Sequence, residues 1–339
     1  MRKMLQHGIV AGGLVLMGGG SQATAASTCS DCEEQTAIIY RDGKGIMPIA
    51  ELWRGWGGQW ERQHELVRVP LLVDGAVWEL TSRPVGVPWL DCFCLSEAAR
   101  RDDYDADARC TKTRTIDWPV AVGPLPGQEV SLASKPGDCG GEGGSYEPQL
   151  TYLGIFDGLV TLSARGSSNG CGAHATEWVT FEATGLPAGG QKPLWDEHEG
   201  ARIAEAGQQA AVAKFIGQFD ERSTEDMNAL HLVPMDLRAM SARWNEGYLQ
   251  PSWLLSREAC FACSNGLWNS YTEAVWVTSE APLPARLAPY AMLAPALRPL
   301  AALVPDAVGF ALLPEATLPP ELLAPAPSGR QRRESTPRE

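Results

Sequence analysis

Histidine is scarce in this chain, with five residues in 339. His7, His64, His174, His198 and His231 stand apart, and none forms the His-x-x-x-His or His-Glu-x-x-His spacing that sets two zinc ligands on one helix face. The helix-borne zinc site of a metalloprotease is thereby excluded. Basic residues are also few: 28 Lys and Arg stand against 41 Asp and Glu, for a formal charge of −13. An acidic chain repels phosphate backbones and anionic lipid, so nucleic acid is not an expected partner. Long apolar runs are missing from the two places where a membrane helix might be sought. Residues 9–17 supply about half of the roughly 20 residues a span requires. The Ala/Leu/Pro-rich stretch 281–313 is interrupted by Pro289, Pro295, Arg298, Pro299, Pro305 and Asp306. The glycine cluster Gly140-Gly141-Glu142-Gly143-Gly144 lacks the Lys-Ser/Thr ending of a phosphate loop, and no cofactor is expected.

What is present begins with an export label. Arg2 and Lys3 precede the uncharged stretch 9–17, and small residues follow to Ala23-Thr24-Ala25-Ala26. This is the basic, apolar, small-residue order of a secretory signal peptide, residues 1–26, with cleavage expected after Ala25 or Ala26. Removing Arg2 and Lys3 takes the formal charge from −13 to −15. Cys29 follows Ala26-Ser27-Thr28, close to where a bacterial lipoprotein carries its lipidated cysteine. A lipid on Cys29 is the one membrane attachment the sequence suggests. The expected location is secreted or periplasmic, with envelope anchoring if Cys29 is modified.

The chain has nine cysteines, which an exported protein uses as disulfides. Candidates are Cys92, Cys94, Cys110, Cys139, Cys171, Cys260 and Cys263. Local pairings of Cys110 with Cys92 or Cys94, and of Cys139 with Cys171, suit the spacing. The odd total requires a free thiol, a lipidated Cys29 or an intermolecular bond. Two Cys-x-x-Cys pairs, Cys29/Cys32 and Cys260/Cys263, allow a zinc site or, at Cys260/Cys263, a redox dithiol. Their wide separation in sequence is unlike a zinc ribbon.

The hydrophobic pattern predicts an α+β fold: antiparallel sheets with a few packed helices, disulfide-braced. Residues 27–65 read as a loop-rich segment, because Trp53, Trp56 and Trp60 sit among glycines. This Trp cluster is either a covered satellite core or a sugar- or peptide-binding surface. Residues 66–135 read as a β-rich subdomain opened by an Asp74-Gly75 hairpin, with Pro70 marking an edge strand. Within 97–118, Asp103, Asp105 and Asp107 have calcium-loop spacing, but Ala108 and Arg114 stand where Gly and Glu are needed, so an EF-hand fails and the acidic run reads as a solvated loop or, alternatively, an irregular calcium site. Residues 120–149 read as a Gly/Pro-rich loop or link.

Residues 145–313 read as an α/β subdomain. Strands at 149–156 and 159–164 flank an Asp157-Gly158 turn, and a third covers 177–182. Asp196 and Glu199 make a capping box for a helix whose apolar face includes Ile203, Val212, Phe215, Ile216 and Phe219. Leu237, Met240 and Trp244 predict a second helix over 235–246. Strands return at 252–255 and 271–277, and short proline-broken helices fill 281–313. The tail, 314–339, is Pro-rich and then charged, and is expected to be disordered.

The strand pair 150–164, the loop Gly170-Cys171-Gly172-Ala173-His174, the strand 177–182, the Thr184-Gly185 turn and Leu194-Trp195 before a helix resemble one bacterial domain. It is the extracytoplasmic α/β domain of the lysozyme-sensing anti-sigma factor and of some peptidoglycan deacetylases. The resemblance spans residues 150–200 and implies an envelope domain that binds a protein or cell-wall ligand. It brings no catalytic set. The leading functional expectation is an exported, non-enzymatic binding or structural domain. The alternative is a metal-dependent or hydrolytic secreted enzyme using the His174 loop, with Glu177 and Asp157 as partners.

Overall fold

The computed structural model of the chain describes residues 34–43, 45–91, 93–94, 97, 110–133, 149–169, 175–187, 193–218, 235–258 and 272–314. Its centre is a seven-stranded sheet of order β10-β9-β8-β14-β1-β2-β3. The strands are β1 (Gln35–Arg41), β2 (Ile49–Trp56), β3 (Gln59–Glu65), β8 (Gln149–Phe156), β9 (Leu159–Asn169), β10 (Ala175–Gly185) and β14 (Ala307–Leu313). A four-stranded sheet β4-β5-β6-β7 comprises Val69–Val73, Ala76–Leu90, Thr111–Val122 and Glu129–Ser131. A three-stranded sheet joins β11 (Asp236–Asn245), β12 (Tyr248–Glu258) and β13 (Thr272–Val277). Helix α1 (Glu197–Gln218), two 3-10 turns at 285–290 and 295–297, and α2 (Arg298–Leu303) complete the described elements. The fold is therefore α+β, as the pattern predicts. No described helix is long and apolar enough to cross a membrane.

The seven-stranded sheet is covered on both faces, and β1 shows why. Its run Ala37-Ile38-Ile39-Tyr40 is fully buried, as a central strand with two covered faces must be. Ile38 and Tyr40 join a core with Leu71, Trp78, Leu80 and Trp118 of the four-stranded sheet. Ala37 and Ile39 face the other way, onto Leu297 and Leu300 of the C-terminal turns. Further along that second face, Phe156 and Leu159 pack with Ile203 and Val212 of α1 and with Met240, Trp253 and Leu255 of the three-stranded sheet. The α1 capping box forms as expected: Asp196 N–H donates to Glu199 at 3.0 Å and Glu199 N–H to Asp196 at 2.7 Å. Of the apolar face expected for α1, Ile203 and Val212 are buried, while nothing is described of the Phe215, Ile216 and Phe219 side chains.

Four expectations are corrected. Residues 35–65 are three strands, not a loop. Gly57 and Gly58, at φ 58° and 78°, make the tight turn between β2 and β3. Gly55 lies opposite Trp60, whose indole fills the space a Cβ would need, 2.7 Å away. Trp53 and Trp60 thus pack onto the Leu297/Leu300 cluster, and Trp56 alone of the three is largely exposed. Nearby, the buried carboxylate of Glu51 is held by Arg41 at 3.3 Å, Arg62 at 3.0 Å and the Trp53 indole N–H at 3.2 Å. Such a pair keeps its place only because every acceptor oxygen is engaged.

Second, 236–245 is strand β11, not a helix. A bulge between Leu237 and Ala239 shifts the side-chain phase by one residue. Leu237 and Met240 then share a face, and Met240, Ala242 and Trp244 continue it at period two, which imitates helical spacing. The turn Glu246-Gly247, at φ 52° and 81°, connects β11 to β12. Third, part of the 120–149 link is strand: β6 runs on to Val122, and β7 lies at Glu129–Ser131. The acidic run 102–107 lies outside the described residues.

Fourth, the end of the Ala/Leu/Pro-rich stretch is not helical. After Pro305 it becomes β14, antiparallel to β1 and parallel to β8. The parallel contact is at Gly309 opposite Ile155. A Cβ on Gly309 would lie 2.2 Å from the Ile155 carbonyl oxygen, so only glycine permits this approach. Gly309→Ala should destabilise the protein by about 1–3 kcal/mol, the range for overpacking a close-packed site, read from the denaturant midpoint at unchanged slope.

Candidate functional site

Two Asp-Gly turns meet at one end of the molecule. The Asp74-Gly75 turn joins β4 to β5, with φ 49° and 77°, the left-handed pair that favours Gly and tolerates Asp. The Asp157-Gly158 turn joins β8 to β9. The Asp74 backbone N–H donates to Asp157 Oδ1 at 3.2 Å, tying the four-stranded to the seven-stranded sheet. From the 3-10 turn 285–290, Tyr290 donates its hydroxyl to the Asp157 carbonyl at 2.5 Å. On β1, Tyr40 donates to the Pro70 carbonyl at 2.5 Å. Pro70 lies on β4, an edge of its sheet, as its missing N–H requires.

Between these turns lies a cavity of about 270 Å³. Leu71, Leu72 and Gly75 form one wall, and Ile155, Phe156 and Asp157 another. Tyr40 lies between them, and Ala311, Leu312 and Pro314 at the end of β14 close the third side. The cavity exists because β14 outlasts its parallel neighbour: β8 turns at Asp157, two residues beyond the Gly309 contact at Ile155, while β14 runs on to Leu313. Burial pushes the Tyr40 and Tyr290 hydroxyls up, and the Asp157 charge adds to both. Both therefore act as neutral donors.

Comparison of the chain with family models, with curated proteins and with solved structures returned no match.

A second recess of about 640 Å³ runs between the β1–β2 connection, the β3–β4 connection and β5. Its charged groups are largely engaged: Arg68 pairs with Glu79 at 3.5 Å, and Asp42 accepts the Tyr152 N–H at 3.2 Å. Burial raises the Asp42 carboxyl, and backbone hydrogen bonds from Tyr152 and Gly43 oppose the rise.

Of the residues expected to form a catalytic group, Asp157 lines the 270 Å³ cavity. Glu177 does not come near it. Glu177 pairs with Ser167, eight residues along β9 from Leu159, which is about 26 Å at 3.3 Å per residue. His174 lies outside the described residues, as do Cys29, Cys32, Cys92, Cys139, Cys171, Cys260 and Cys263. Among the described residues no group of three or more His, Cys, Asp or Glu is placed to hold a metal. The sequence also holds one match to Gly-x-Ser-x-Gly that pattern reading passed over, Gly166-Ser167-Ser168-Asn169-Gly170. A nucleophile elbow needs a strand-to-helix turn, whereas this stretch leads from β9 into the antiparallel β10.

Of the proposed disulfides, Cys94 and Cys110 stand at bonding distance, with Cα atoms 5.5 Å apart and sixteen residues of separation. They close the end of the β5–β6 hairpin. Beside them Asp91 binds Lys112 at 2.6 Å and accepts the N–H groups of Phe93 and Cys94. The Lys112 contact, then these backbone donors, hold the Asp91 carboxyl below the usual range.

Sequence reasoning singled out neither Tyr40 nor Tyr290, because each matters through a partner distant in the chain. Tyr152, buried on β8, donates to Ile46 O at 3.0 Å and is likewise raised, first by burial. A group whose ionisation is raised by folding contributes stability below its unfolded value and loses it as pH climbs. Stability should thus fall as pH rises beyond about 10. In a phenolate absorbance titration, the two fully buried tyrosines of the seven, Tyr40 and Tyr152, should ionise only together with loss of native circular dichroism.

Proposed function

We propose that this chain is an exported bacterial envelope protein that works as a non-catalytic binding domain, its binding site being the cavity at the paired Asp-Gly turns. The observation that carries the binding role is the cavity walled by Leu71, Leu72, Ile155, Phe156, Ala311 and Leu312, with polar side chains at Tyr40 and Asp157. Binding sites are concave and mostly apolar, with a few polar groups that fix orientation. The basic, apolar and small-residue order of residues 1–26 supports export. The Cys94–Cys110 pair supports an oxidising compartment, where such bonds persist. The resemblance of residues 150–200 to an envelope domain points to the same compartment, and a lipid on Cys29 would anchor the protein there.

Mass spectrometry of the protein recovered from its native host, with cell fractionation, tests this directly. The expected product begins at Ala26 or Ser27, lies outside the cytoplasm, and yields a peptide linking Cys94 to Cys110. Recovery from the cytoplasm with Met1 retained and nine free thiols would overturn the proposal. The same bond has an energetic signature. Closing a loop of this length constrains the unfolded chain by about 3 kcal/mol, so Cys94→Ser should lower unfolding free energy by roughly that amount, and reductant should then have no further effect through this pair.

A further inference from the structure

We infer that the 270 Å³ cavity takes an alkyl ammonium group, with its apolar chain between the two sheets and its charge on Asp157. This rests on the reading of that cavity as a binding site. The argument is one of unspent hydrogen-bonding capacity. The Tyr40 hydroxyl is committed to Pro70 O, the Tyr290 hydroxyl to Asp157 O, and the Asp74 N–H to Asp157 Oδ1. The side-chain donors around the site and the donor that holds its turn are thus used. What remains is acceptor: the second Asp157 carboxylate oxygen has no partner among the described residues, and Asp74 adds a second carboxylate on the facing turn. Among the described residues Arg286 is the cation that acts on Tyr290, and its guanidinium is engaged with the Pro193 carbonyl at 3.2 Å.

A matching ligand should therefore bring donors and positive charge on an apolar body, because an anion or a bare acceptor would meet the Asp157 carboxylate with no uncommitted side-chain donor to offset it. The volume sets its size. At roughly 30 Å³ per water the cavity equals about nine waters, enough for a six-carbon chain and its head group. A free alkylamine and a lysine side chain present the same chemistry. An ammonium also suits the acidic character of the whole chain, which steers cations toward it.

The test titrates n-hexylammonium, hexanol and hexanoate into the nitrogen-labelled, oxidised protein at neutral pH, following backbone amide shifts. Hexylammonium should bind about tenfold more tightly than hexanol, the preference expected of one charge-assisted hydrogen bond at a partly exposed site. Hexanoate should bind most weakly, with shifts centred on Gly75, Asp157 and Leu312. Asp157→Asn keeps an acceptor for the Asp74 N–H, so it should fold, retain hexanol binding and lose the preference for the ammonium. Ala311→Leu, which fills the cavity, should abolish binding of all three probes without altering charge. Equal affinity for hexanol and hexylammonium would overturn the ammonium inference while leaving a binding cavity. Failure of all three probes to bind would overturn the cavity as a binding site as well. Persistence of hexylammonium binding in Ala311→Leu would place the amine elsewhere and overturn the inference. An acetylated, amidated Ala-Lys-Ala peptide separates the two sources: tighter binding than hexylammonium supports a lysine side chain, and weaker binding supports a free amine.

Discussion

The fold depends on one close backbone approach, Gly309 against Ile155. The seven-stranded sheet is assembled from three stretches of chain: β1–β3 from 35–65, β8–β10 from 149–185, and β14 from 307–313. β14 stands between the other two and pairs with both, so without it the sheet falls into separate halves of three strands each. Its link to β1 is a ladder from Thr36↔Leu313 to Arg41↔Ala307, while its link to β8 is a single parallel contact. The side of β14 that meets β8 therefore leaves little room for error, and glycine at the crossing is what lets the two backbones approach. Thr36 and Leu313 are separated by 277 positions (313 minus 36). Closing so long a loop before its contacts reward it makes insertion of β14 a late and slow event in folding.

The same geometry creates the cavity. Parallel neighbours normally continue side by side, but β8 turns back at Asp157-Gly158 to begin β9. The end of β14 is left facing a space bounded by the β4 side chains Leu71 and Leu72. The Asp74 N–H is held by Asp157, which joins the two turns beside the recess. A carboxylate that fastens one turn with one oxygen has its other oxygen available. Thus the constraint that places β14 and the polar contact that joins the sheets together define the site.

Much of this was legible in the sequence, and where it was not the reasons are specific. Both Asp-Gly hairpins and the α1 capping box are local signals, complete within a few residues, and each appears where expected. β11 was misread because its bulge turns a two-residue period into spacings of three and four, which single-strand pattern reading assigns to a helix. β14 was misread because its proline-rich approach suggests broken helix and its own seven residues carry no alternation: both faces are covered, with Val308, Ala311 and Leu313 packed toward the four-stranded sheet and Ala307 and Phe310 toward the C-terminal turns. β1 has the same character. The site was legible only at Asp157. Tyr40 and Tyr290 reach it through contacts with positions 30 and 133 residues away in sequence, which no local pattern can reveal.

The β5–β6 hairpin shows how the structure protects what it leaves unsupported. β4 accompanies β5 only to Leu80, and β7 accompanies β6 only from Val120. From Ser82 to Leu90, opposite Pro119 to Thr111, the ribbon has no further strand beside it among the described residues. The Leu132 N–H donates to the Pro119 carbonyl, so the Ser82↔Pro119 pair directs its backbone groups outward. Counting by twos along the ladder, Pro84, Gly86 and Pro88 have the same outward orientation. Two of those positions have no N–H to offer, so an incoming strand would find gaps where it needs donors. Proline is tolerated here for the same reason, since its missing donor would otherwise have been lost from the ladder to β6. A lone two-stranded ribbon is marginally stable in water. The Cys94–Cys110 pair and the Asp91–Lys112 bridge fasten its far end, where neighbouring strands do not. Covalent closure replaces the missing sheet, and the prolines keep the exposed edge from acquiring another.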